Sequence, residues 1–371
     1  MAEKCFKSLQ ILVFTFFMLV FSTVVHGQEN KHENIEGHHE KTEEKLDPAK
    51  IIMDHIKDAH EFHFFTAGEF HATIPLPVIL YSENKGWSIF SSSRFEHGHA
   101  SYNGYVLSDG VIKAEDGSKV YDFSLTKNVV QMILALTVLV LLLTGIARKY
   151  KKGYGVTSAP KGWQNAIEPI VTFVRDDVAK ANLGSKWEKY MPYLLTVFFF
   201  ILINNLFGLI PGSANVTGNT AFTIVLGVVS AIVILASTNG HFWAHVLWPP
   251  GVPFLVKLIL IPVELLGVLV IKPAALIIRL FANMVAGHII ILSFISLIFI
   301  FGAMSKGAGW GFSPISILFT VFMYFIELLV AFIQAFIFTN LTSVFIGQAF
   351  EGGHDHEHHD TEVHHHDVAT T

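Results

Sequence analysis

Cysteine is all but missing: Cys5 is the only one in 371 residues. That excludes a disulfide framework and any cysteine-ligated zinc site. Charge is scarce as well, at 15% Asp, Glu, Lys and Arg against about 25% in soluble domains, which argues against a soluble globular enzyme. A basic excess is lacking, since the formal charge is −5, and with it the electrostatic footprint of a nucleic-acid binder. Between residues 191 and 350 the only charged side chains are Lys257, Glu264, Lys272, Arg279, Lys306 and Glu327. What fills the chain instead is 52% hydrophobic residues, a mean hydropathy of +0.50, and long apolar runs. This is the pattern of an all-α polytopic membrane protein.

Residues 1–27 pair Lys4 and Lys7 with a fifteen-residue apolar run at 11–25. That run is shorter than the roughly 17–25 residues a span needs, so it reads as a signal peptide, although Val25-His26-Gly27 is a poor cleavage pattern. Residues 28–122 are polar and rich in His, and 29–50 have a disordered composition. At 102–123 apolar residues alternate around Asp109-Gly110 and Asp116-Gly117, which predicts a short β-ribbon in a small extracytoplasmic region.

Residues 123–350 read as the membrane domain. A first span at about 125–147 ends in Arg148, Lys149, Lys151 and Lys152, a cluster that is cytoplasmic by the positive-inside rule. At 163–183, Ile167, Ile170, Val171, Val174 and Val178 recur at helical spacing among Glu168, Arg175, Asp176 and Lys180. Such a stripe suits a helix lying on the membrane surface, or one packed on another element. Spans follow at about 190–210 and 221–237, then two long apolar segments at 254–304 and 314–350. The uninterrupted stretch 274–303 would be about 45 Å long as a helix against a hydrocarbon core of about 30 Å, so a steeply tilted hairpin is expected. Counting crossings gives about five, with the N-terminus outside and the C-terminus inside. Residues 351–371, with seven of the twenty His, read as a solvated, disordered tail, metal binding being the other reading of such a tract.

Arg279 sits deep within an apolar segment, where a charged side chain costs at least ~2.5 kcal/mol to insert and is functional by default. At 100° per residue it shares a stripe with Ala282, Asn283, Ala286 and Ser293, small residues that let a partner helix approach. His288, nine positions on, points to the opposite face. On the second long helix Glu327, Ala331 and Gln334 share a face. Folding the hairpin at Gly307-Ala308-Gly309 brings Arg279 level with Gln334, and His288 level with Glu327. A His and a Glu in low dielectric can exchange a proton.

The stretch Arg279-Leu280-Phe281-Ala282-Asn283-Met284-Val285-Ala286-Gly287-His288 resembles the signature of subunit a of the F-type ATP synthase, and Gln334-Ala335-Phe336-Ile337-Phe338 resembles its last-helix motif. Phe173-Val174-Arg175-Asp176-Asp177 and residues 198–212, with Asn204, Asn205, Leu209 and Pro211, are similar too. The resemblance implies a bacterial inner-membrane stator with two offset half-channels against a rotating ring of c subunits. It implies a subunit b peripheral stalk and a soluble ATPase head as further partners, surrounding lipid, and no cofactor or catalytic centre in this chain. The family's essential arginine maps to Arg279, and its outer half-channel to Asn283, His288, Glu327 and Gln334. Asn205 and Glu264 are further half-channel candidates. Glu264 lies eight residues before Lys272, where the family pattern has seven, and Gly208 stands where some relatives carry an acid.

A divalent-metal transporter is the alternative suggested by twenty His. It would need His, Asp or Cys ligands within the spans, where only His288 and Glu327 are available. An intramembrane enzyme would need a Ser–His, paired-Asp or HExxH arrangement, and the spans have none.

Overall fold

The structure, a computed structural model, describes residues 58–67, 70–98, 100–108, 110–153, 162–210, 212–248, 251 and 253–351. The expected signal peptide and residues 352–371 lie outside the described residues.

Among the described residues, seven strands precede the membrane helices. β1 (Glu61–Ala67) pairs antiparallel with β2 (Phe70–Pro75). β3 (Pro77–Ser82), β4 (Gly86–Ser91) and β7 (Val120–Asp122) form a sheet of order β4-β3-β7. β5 (Tyr105–Ser108) and β6 (Val111–Ala114) make the ribbon expected around Gly110, whose φ of +80° is the left-handed conformation that this turn demands. The second expected hairpin turn, at Gly117, is not one: β7 leaves β6 and pairs with β3. Period-two alternation drives the packing. Val78 and Leu80 of β3 point inward with Phe95, Tyr105, Ile112 and Ala114, while Tyr81 points out.

The helices are α1 (Lys127–Lys151), α2 (Trp163–Phe173), α3 (Trp187–Gly208), α4 (Thr220–Ala236), α5 (Gly240–Leu247), α6 (Phe254–Leu266), α7 (Lys272–Met304) and α8 (Lys306–Glu351). Among the described residues, four helical runs are long and apolar enough to cross a membrane: Lys127–Lys151, Trp163–Gly208, Phe254–Met304 and Lys306–Phe350. α4, at 17 residues, is the shorter apolar fifth. α6 and α7 join through a π-helical turn, Gly267–Ile271, into one run of 51 residues, about 75 Å long. No upright helix of that length fits the hydrocarbon, so steep tilt follows. The hairpin between α7 and α8 turns at Ser305, slightly before the expected Gly307. The crossing is tight there because a Cβ on Gly309 would lie 2.8 Å from the Gly302 Cα.

A shared core joins the helices. Ala135 and Leu139 of α1, Ile167 and Val174, five residues of α3 between Val197 and Leu202, and Leu276, Leu280, Ala335 and Phe338 pack together. The segment beginning with α2 continues through a π-helical turn, Val174–Lys180, before Gly184 (φ +53°) bends the chain into α3. That segment is packed rather than free-standing: Ala179 and Leu183 meet Tyr190, Leu194 and Ile346.

Candidate functional site: a buried His–Glu pair behind an exposed arginine

The site is assembled from α3, α7, α8 and the loop after α3. Gln131 of α1 positions that loop: its side-chain amide donates to the Ala214 carbonyl and accepts from the Ala214 N–H at 2.7 Å. Asn215 then accepts from Gly218 N, and Asn219 caps α4 by accepting from Ala221 N and Phe222 N.

His288 Nδ1 lies 2.7 Å from Glu327 Oε1, and Glu327 is only 3% exposed. The same Nδ1 is 3.0 Å from the Met284 carbonyl, and Nε2 is 3.0 Å from the Gly208 carbonyl. Both ring nitrogens therefore face carbonyl oxygens. A neutral imidazole has one N–H to donate and its protonated form has two, with the Glu327 carboxylate as counter-charge. The pair borders a cavity of about 40 Å³ lined by Gly208, Ser213, Asn215 and Tyr324 among others. That is room for a water molecule.

Asn205 lies deeper, donating from Nδ2 to the Ala331 carbonyl at 3.1 Å, with its Oδ1 buried and unpaired. Ala331 sits on the buried face of α8 between Glu327 and Gln334, and Gln334 is itself 4% exposed.

Arg279 is elsewhere. It lies on the exposed face of α7 with Ala282, Asn283, Ala286 and Ser293, and it has no hydrogen-bond or ion-pair partner among the described residues. Gln334 is buried in the bundle and Arg279 is exposed on the other side of α7, so the two that the hairpin register matched in depth stand on different faces. Glu264 is half-buried on α6. The π-helical turn between it and Lys272 accounts for the irregular spacing, because a π turn holds one residue more than an α turn. Eight positions here rotate about as far as seven, which returns Glu264 and Lys272 to one side of the helix.

Three participants escaped the sequence reading: Tyr324, the Ser213–Asn215 loop and the Gly208 carbonyl. Tyr324 carried a usable signal, three residues before Glu327 on the same helical face. The loop did not, since Gln131 holds it from 83 residues away.

Comparison with known proteins is consistent with this geometry. Residues 129–347 match the family described as ATP synthase A chain, and residues 51–132 match a family described as a domain of unknown function. An ATP synthase subunit a of Chloroherpeton thalassium is 45% identical over 251 residues, 66% of this chain and 71% of that one. An ATP synthase subunit a 2 of Chlorobaculum tepidum is 37% identical over 356 residues, 92% and 84% of the two chains. A third relative, ATP synthase subunit a of Anaeromyxobacter dehalogenans, is 41% identical over 248 residues, 64% and 61%. These matches do not favour a metal transporter, and the chain belongs to the ATP synthase A chain family, the proton-translocating, multi-pass membrane subunits of F-type ATP synthases.

Proposed function

We propose that Arg279 and the His288–Glu327 pair are the two working parts of the proton path, set on opposite faces of α7. The observation that carries this is the division itself: an exposed Arg without a partner among the described residues on an otherwise apolar helix, with His288, nine positions on, paired to Glu327 at the back. A permanent cation facing lipid is costly, so its stable environment is a carboxylate on a neighbouring chain. The c ring supplies that partner, and Ala282, Asn283 and Ala286 leave room for it to approach. His288 and Glu327, with Asn205 and Gln334, take up protons from the end of the bundle that carries the β region. Glu264, on the Lys272 side, serves the opposite half-channel. The guanidinium stays charged at any working pH and blocks direct passage between the two halves.

In this reading the chain lies in a bacterial inner membrane with its N-terminus outside and its C-terminus in the cytoplasm. Subunit b and the soluble head complete the stator and the catalytic machinery, and this subunit carries no catalytic site. The test is gradient-driven ATP synthesis in reconstituted vesicles. Arg279→Ala abolishes synthesis in an assembled complex, and Arg279→Lys is severely impaired, because Lys lacks the fixed fork and can lose its proton when desolvated. Near-normal synthesis in the Ala variant overturns the assignment.

A further inference from the structure

Gln131 is a buried amide on a helix whose apolar side chains are largely exposed. Around it on α1, Ile133, Leu134, Leu136, Val140 and Leu141 face outward, and Thr137 and Thr144 turn their hydroxyls back to carbonyls of α1 itself. Gln131, at 4% exposure, instead reaches the loop after α3 and commits both ends of its amide to the backbone of Ala214. A residue on a neighbouring antiparallel strand is held by the same pair of bonds. A buried amide has to be paired to be tolerated, but crossing a membrane asks for no amide here. What the pairing does is fix the place of Ala214.

Ala214 is flanked by Ser213 and Asn215, which line the cavity beside His288 and Glu327. Asn215 is 7% exposed, and its orientation is set: Oδ1 accepts from Gly218 N–H at 3.0 Å, which leaves Nδ2 as the other end. Nδ2 is buried with no hydrogen-bond partner among the described residues, and so is Glu327 Oε2. Gly218 keeps room for the amide, since a Cβ there would collide with Nδ2. Its φ is not positive, so the backbone conformation does not itself demand glycine. An orphaned donor and an orphaned acceptor thus belong to side chains that border one cavity with room for a water. A water there accepts from Asn215 and donates to Glu327 Oε2. The titratable groups lining the cavity are His288 from α7 and Tyr324 and Glu327 from α8, and α1, α3 and the loop add none.

We propose that Gln131 is a positioning residue for proton uptake: by clamping Ala214 it sets the Asn215 amide, and the water that amide holds, beside Glu327. This rests on the assignment of His288 and Glu327 to the proton path. A proton arriving as hydronium passes to Oε2 by breaking one O–H bond of the hydronium and forming one on the carboxylate, which leaves a neutral water on Asn215. The experiment uses the assembled synthase in vesicles and follows ATP synthesis against the pH of the proton-supplying side, at a fixed potassium–valinomycin voltage. Gln131→Met keeps the side-chain length and loses both hydrogen bonds. Asn215→Ser keeps an acceptor for Gly218 N–H and loses the amide donor. Each raises the proton concentration for half-maximal synthesis about tenfold, the scale of one hydrogen bond to a charged group, and the double variant raises it no further. An unmoved midpoint in either single variant overturns the proposal, and lower rates at every pH then make the clamp structural. Additive shifts overturn it too, by separating Gln131 from Asn215. If Gln131→Met fails to assemble, Gln131→Asn, one methylene too short for both bonds, is read in the same way. Glu327→Gln distinguishes the two levels of failure: near-normal synthesis there removes the proton path itself, whereas severe loss there with an unmoved midpoint at 131 or 215 removes this inference alone.

Discussion

Gly287 and Glu327 share one pocket of space: a Cβ on Gly287 would lie 2.7 Å from the Glu327 Oε1 and 2.9 Å from its carboxyl carbon. The absence of a side chain at 287 is what lets α8 bring a buried carboxylate against His288, one residue along.

Gly287→Ala is therefore expected to displace the carboxylate, at an overpacking cost of about 1–3 kcal/mol. ATP-driven proton pumping in inverted vesicles falls severely while the subunit is still incorporated. Adding Glu327→Asp, one methylene shorter, recovers part of the lost pumping. No loss in the single variant would mean that α8 yields freely at this point.

Exchanging the pair, His288→Glu with Glu327→His, tests whether the two act as one unit. Each single change removes the counter-group and slows pumping, and the exchange recovers more than either single alone. Additive losses in the pumping assay would show uncoupled residues.

At the other end of α8, a Cβ on Gly347 would collide with the backbone carbonyl of Asn182. A carbonyl within a packed segment cannot rotate aside as a side chain does. Gly347→Val is expected to separate α8 from the segment that follows α2 and to lower the amount of assembled complex, read by native gel. Normal assembly would show that this junction tolerates opening.

The β region meets α1 through Asp122, which lies 2.8 Å from His60 Nε2 and accepts from Ser124 N–H. Burial alone would raise its pKa, but these contacts outweigh burial and hold the carboxyl below its ordinary value. A depressed folded pKa contributes stability that is present above the unfolded value, near 3.9, and is lost as pH falls through the folded one. Amide-exchange protection of β3 and β7 is expected to stay level from pH 7 to about 4 and to decline below that. A decline already at pH 6 would assign the linkage to another group.

The long-range pairing of α7 with α8 was legible because hairpin register is arithmetic: two uninterrupted apolar helices and a glycine-rich turn leave little freedom. The turn at Ser305 shifts that register by only a few residues, and His288 still meets Glu327. The faces followed too, since Glu327, Ala331 and Gln334 share the buried side of α8, as their spacing requires; what covers that side was less legible, because Asn205 comes to Ala331 from α3, 126 residues away in sequence. β2 and β3 went unread because Pro75 ends the one and Pro77 begins the other, which hides their boundary. β7 was misassigned because its partner, β3, is about forty residues away. The π-helical turn at Gly267–Ile271 has no periodic signature of its own. It showed itself only as one residue too many between Glu264 and Lys272.

The brevity of α4 has an electrical consequence. Seventeen residues rise about 26 Å, about 4 Å short of the hydrocarbon thickness, and such a mismatch thins the bilayer around the helix. α4 packs on α7 where Gly227 makes room for Ile277, two positions from Arg279. The membrane voltage, about 2.3 kcal/mol per elementary charge per 100 mV, then falls across a narrower insulating layer at this place. On the proposed path, a proton passing Arg279 would then cross a steeper field than in a bilayer of full thickness.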